Sequence, residues 1–139
     1  MFGALLRGTG HTLVAMPFLV IPMALYMVAR SFGSPEAQIY GGALPSGVYV
    51  GLTAGGALIL IGIACLILEV LKATVTGMRS LVDQTLSVFL LGAAGVAFLL
   101  VPAFGTLDWA LLVALQLADV LLGAIVGIRT ARRDFGLNA

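Results

Sequence analysis

The chain alternates long apolar stretches with short polar or turn-rich ones. Four apolar stretches, at about 12–30, 48–72, 81–101 and 107–129, lie near the ~20 residues a helix needs to cross the hydrocarbon layer of a bilayer. The pattern predicts an all-α integral membrane protein, a four-transmembrane-helix up-down bundle occupying 1–139 as a single membrane domain. Span one contains Pro17 and Pro22, each expected to bend it, because a proline removes a backbone donor. Ser31–Gly47, with Pro35, Pro45 and several glycines, reads as the one long loop. Tyr40 and Tyr49 suit the headgroup level, where a ring with a polar tip is favoured.

The remaining boundaries carry helix-end signals. Gly77 reads as a C-cap, and Ser80-Leu-Val-Asp83 has the form of a capping box opening span three. Thr106 is placed to cap span four, with Asp108 in its first turn, where the helix dipole favours an anion. Gly51 and Gly55 form a small-xxx-small pair, as do Gly123 and Gly127, and Gly62 and Gly92 add further small positions. Such residues let helix backbones approach closely in lipid, where burial provides little drive.

Composition sharpens the class. Hydrophobic residues make up 61% of the chain and charged residues 9%, with a mean hydropathy of +1.17. A soluble domain carries roughly 25% charged residues, so a water-facing surface cannot be built from this supply. Net charge is +1 and no basic run lies outside the span flanks, which argues against nucleic acid as a partner. The single cysteine, Cys65, sits in an apolar run and reads as an inert buried thiol. The first apolar stretch reads as a retained span, since a small-residue cleavage site does not follow a compact apolar core. With both termini cytoplasmic, Arg7, Lys72, Arg79, Arg129, Arg132 and Arg133 lie inside and Arg30 alone lies outside. The expected location is a cell membrane, of bacterial inner-membrane type, crossed several times.

Candidate chemistry concentrates in span four. Asp119 interrupts it near its midpoint, and Gln116, three residues earlier, shares its helix face. A carboxylate at the bilayer centre costs about 2.5–3.5 kcal/mol even on the lenient insertion scale, so it must face protein or water. Counting along equal antiparallel spans puts Asp119 level with Pro22, Ile61–Gly62 and Leu91–Gly92, with no cation at that depth. Desolvation without a cationic partner favours the neutral acid. That acid could donate to the Phe18 carbonyl, which Pro22 leaves without a helical partner, or bond Gln116. The alternatives are a proton or cation site, and a contact with a partner subunit.

Glu69 and Lys72 read as an interfacial ion pair. Arg79, Ser80 and Asp83 form either a cytoplasmic docking face or simple caps. His11 lacks a second ligand, and the chain holds no Ser/His/Asp set, cysteine pair or phosphate loop. The expectation is therefore a non-enzyme without cofactor or metal. The first reading is a small non-catalytic membrane subunit or scaffold that packs through small-residue helix faces, with the lipid bilayer, its own copies or other membrane subunits as partners. The alternative is an oligomeric proton- or cation-coupled transporter or channel using the Asp119/Gln116 pair.

Overall fold

The computed structural model describes residues 16–74 and 78–136, without the side chains of residues 78–80, 130, 131 and 133–136. The readings of Arg7, His11 and Gly77, and of the side chains of Arg79, Ser80 and Arg133, fall outside the described residues. The elements are α1 (Val20–Phe32), β1 (Gln38–Ala43), β2 (Tyr49–Thr53), α2 (Ala54–Lys72), α3 (Met78–Leu100), a 3-10 turn at Pro102–Phe104, and α4 (Leu107–Gly136). Among the described residues three segments are long and apolar enough to cross a membrane: Ala54–Lys72, Leu81–Leu100 and Leu107–Arg129. With 13 residues, α1 is only about 20 Å long.

The prolines of the first apolar stretch start its helix and do not bend it. Val20 N–H donates to the Pro17 carbonyl at 3.2 Å and Ile21 N–H to Phe18 at 3.0 Å, closing the turn that leads into α1. Pro22 stands third in α1, within the first turn, where backbone donors have no intrahelical acceptor to lose. The Phe18 carbonyl therefore has a partner and does not await Asp119.

A second departure lies between α1 and α2. Where a loop and the first residues of span two were expected, the chain forms an antiparallel hairpin pairing Gly41 with Gly51 and Ala43 with Tyr49. Ile39, Tyr40, Tyr49 and Val50 favour extended backbone, and Gly47 supplies the positive φ of 81° that the turn requires. Thr53 stops the strand by capping the next helix, its hydroxyl accepting Gly56 N–H at 3.0 Å. Span two thus begins at Ala54, not near 48. Gly51 lies in a strand, so the Gly51/Gly55 pair does not make one helix face.

At the centre stands α4, with α2 and α3 against it and α1 laid mainly on α2. Trp109 anchors the core at 2% exposure, its ring 5.3 Å from Tyr26 and 4.6 Å from Phe104. Its indole N–H donates to the Ala94 carbonyl at 3.1 Å, tying α4 to α3. The Tyr26 and Thr106 hydroxyls bond at 2.6 Å, and Thr106 also accepts Trp109 N–H at 3.3 Å as the cap of α4. Leu112, Leu58 and Met23 complete this apolar half. Gly62 admits the ends of Leu112, Leu115 and Leu19, so α2 and α4 pack closely there.

Segment 16–35 lies along α2 from end to end. At one end Gly55 N–H donates to the Pro35 carbonyl at 2.7 Å; at the other the Lys72 ammonium donates to the Met16 carbonyl at 2.9 Å.

Candidate functional site

Polar side chains inside the bundle collect at one end, where α2 finishes and α3 starts. Lys72 closes α2 and sits between two carboxylates, 2.8 Å from Glu69 and 3.0 Å from Asp83. Its ammonium lies 4.3 Å from the centre of the Phe18 ring. Glu69, only 3% exposed, also accepts the Phe18 backbone N–H. The expected Glu69–Lys72 pair is present and belongs to a larger knot that fastens the start of segment 16–35 to α2 and α3. Asp83 works in that knot; α3 already begins at Met78, so Asp83 is not a cap.

One turn deeper, Gln84 on α3 donates to the Val120 carbonyl of α4 at 2.9 Å. Gly123 makes that possible, since a β-carbon there would collide with the Gln84 amide oxygen. Deeper again, Gln116 donates through Nε2 to the Ser87 carbonyl at 3.2 Å and to Asp119 Oδ2 at 3.3 Å. The Ser87 side chain is a second polar contact of the Asp119 carboxyl. All three are buried: Gln116 at 0%, Ser87 at 2% and Asp119 at 6% exposure. Gln116 Oε1 is buried and, among the described residues, accepts no hydrogen bond.

These contacts fix the depth of Asp119. Equal spans would place it beside Leu91–Gly92 and Ile61–Gly62. Instead it meets Ser87, while Gly62 packs against Leu112 and Leu115. The site lies about one helical turn, roughly 5 Å, nearer the α2–α3 junction than the count implied. The helices are unequal, 30 residues in α4 against 19 in α2 and 23 in α3, so a count between equal spans does not give their register. Beyond Gln116, toward the hairpin, the interior turns apolar at Leu112, Ala94 and Trp109.

The glycines separate by environment. Gly55 packs against Asp108, Gly62 against leucines and Gly123 against Gln84, so all three serve packing within the chain. Gly92, Gly95 and Gly127 have nothing among the described residues within 4 Å of an added β-carbon. At the opposite end of the molecule Arg30 bonds both oxygens of Glu36 at 3.1 Å, and Ser34 donates to Glu36 at 2.5 Å. The Ser34 hydroxyl, chiefly, and Arg30 hold the Glu36 carboxyl below its ordinary range.

The sequence points to Asp119 and Gln116 but not to Ser87 or the Lys72–Asp83 tie, and it offers Gln84 only as part of a docking face beside Asp83, whereas Gln84 bonds the Val120 carbonyl inside the bundle. The signal was present: Asp83, Gln84 and Ser87 follow the three- and four-residue spacing of one helix face. Among the described residues no group of three or more His, Cys, Asp or Glu stands together to hold a metal. No protein-family model matches the chain, and comparison with curated proteins and with solved structures gives no match.

Proposed function

We propose that the chain is a small, non-catalytic integral membrane subunit, a four-span up-down bundle with both termini in the cytoplasm. It joins copies of itself or other membrane proteins through helix faces that the single chain leaves open. The observation that carries this reading is α3. Only 11% of its apolar window is buried, against 28% for α2, and its Gly92 and Gly95 face open space. Small residues on an open apolar helix allow the close approach by which helices associate in lipid.

The four crossings are supported by segment 16–35, which covers the height of α2 although its helix is short. The orientation is supported by the basic residues, six of them on the side of the termini and Arg30 on the other. Such a bias fits a bacterial inner membrane. The test is native mass spectrometry after extraction in mild detergent. Wild type is expected as an oligomer or with a membrane partner, and Gly92→Leu with Gly95→Leu as a monomer with unchanged Trp109 fluorescence. A wild-type chain that is monomeric and alone refutes the reading.

A second reading has its own support. The orphaned Gln116 Oε1 beside Asp119 is what a homo-oligomeric proton- or cation-coupled transporter or channel would need at its ion site. In proteoliposomes, Asp119→Asn is expected to abolish ion flux while the protein stays folded. Unchanged flux refutes this second reading.

A further inference from the structure

We propose that Asp119 is a proton-exchange site reached by water from the α2–α3 junction alone, along the polar seam of Asp83, Gln84 and Ser87. Gln116 Oε1 accepts from the water at the blind end of that seam. The inference rests on the second reading above for its residues and adds the ligand and the direction of access.

Three observations converge on it. The first is the orphaned acceptor. A buried carbonyl without a donor is left desolvated and unpaired, and a water molecule supplies the missing donor. The second is the one-sided distribution of polar groups. Asp83, Gln84 and Ser87 share a face of α3 and meet Gln116, Asp119 and the Val120 carbonyl on α4. Next to Gln116 on the other side stand Leu112, Leu58, Met23 and Trp109 of the apolar core, before the Tyr26–Thr106 hydroxyl pair is reached. The third is the donor set. The Asp119 carboxyl, the free amide oxygen and the Ser87 oxygens are too few for a hard divalent cation, which takes six or more oxygens, and suffice for water and a proton.

The charged groups facing the site are Asp83 from α3 and Lys72, with its partner Glu69, from α2. Segment 16–35 presents the Met16 carbonyl to Lys72. In the exchange, a hydronium in the seam gives its proton to an Asp119 carboxylate oxygen and is left as water; the reverse step returns it to the same side. A chain with one entrance binds and releases a proton without conducting it. Net flux then needs a second entrance formed with a partner subunit.

The experiment has two arms on full-length protein in phosphatidylethanolamine–phosphatidylglycerol vesicles. Difference infrared spectroscopy is expected to show a protonated-carboxyl band that titrates with bulk pH, shifts in D2O and disappears in Asp119→Asn. If Asp119→Asn fails to fold, Gln116→Leu replaces it and is expected to move the band by removing a hydrogen-bond partner. A band that is absent, or unmoved in the folded variants, overturns the proposal.

The second arm places single cysteines in a Cys65→Ala background and applies a charged, membrane-impermeant thiol reagent to each face. Gln84→Cys and Ser87→Cys should react from the same face as the Arg132→Cys control, and Leu112→Cys from neither. Reaction of Ser87→Cys from the opposite face, or from none, overturns the access route. Arg132→Cys reacting from outside refutes the orientation proposed above without touching the access route. A titrating Asp119 in a chain without ion flux refutes transport and leaves the exchange site standing.

Discussion

Replacing Lys72 by Met removes the ammonium that Glu69, Asp83 and the Met16 carbonyl share. Glu69, 3% exposed, then keeps only the Phe18 amide as a donor. Removing one partner of a buried ion pair typically costs about 3–5 kcal/mol, because a charge is left buried without its counter-charge. Lys72 and Asp83 each keep 16% side-chain exposure, so water screens part of the loss and the lower end applies, about 3 kcal/mol. That is roughly a hundredfold in the folded-to-unfolded ratio. Adding Glu69→Gln removes the more deeply buried of the two stranded charges, leaving Asp83 to partial contact with water, while the new amide oxygen still accepts from Phe18. The double variant should recover to within about 1 kcal/mol of wild type. The assay is unfolding by dodecyl sulfate in bicelles, followed through Trp109, which sits among Tyr26 and Phe104 in the apolar half of the bundle. A loss below about 1 kcal/mol for Lys72→Met, or a further loss on adding Glu69→Gln, would refute the assignment of the knot as an electrostatic fastening.

Three further outcomes can be measured in the same system. Gly62→Leu should destabilise by about 1–3 kcal/mol or more through overpacking, because an added β-carbon already meets Leu115 at 3.0 Å; a neutral result contradicts the α2–α4 contact. Gly92→Ala should leave the single chain as stable or up to about 1 kcal/mol more stable in the unfolding assay, since nothing opposes the methyl and alanine is the better helix former. Any loss it causes should appear in assembly, read by native mass spectrometry. At the other end, a depressed Glu36 carboxyl contributes to stability above its ordinary range and loses that contribution as pH falls through its lowered value. Wild type and Glu36→Gln should therefore differ slightly at neutral pH and converge in acid, and a difference that grows on acidification contradicts the pairing with Ser34 and Arg30.

The amino-acid sequence alone determined that the chain carries helices long and apolar enough to cross a membrane, because run length and apolar content decide that property. It also located the Asp119–Gln116 pair, since a polar residue inside such a run stands out and a three-residue spacing fixes a shared face. The Thr106 cap and the Glu69–Lys72 pair were legible for the same reason: both depend on neighbours within one turn. What escaped was whatever depends on how one helix is set against another. The hairpin was hidden because Tyr49, Val50 and Leu52 are as apolar as the helix they precede, and only pairing with Gln38–Ala43 and the Thr53 cap turns them into a strand. The depth of Asp119, its contact with Ser87 and the reach of Asp83 to Lys72 follow from interhelical register, which a count between unequal helices does not give. Tertiary structure likewise decided which glycines pack and which stay open, because a glycine carries no side chain to record its neighbour.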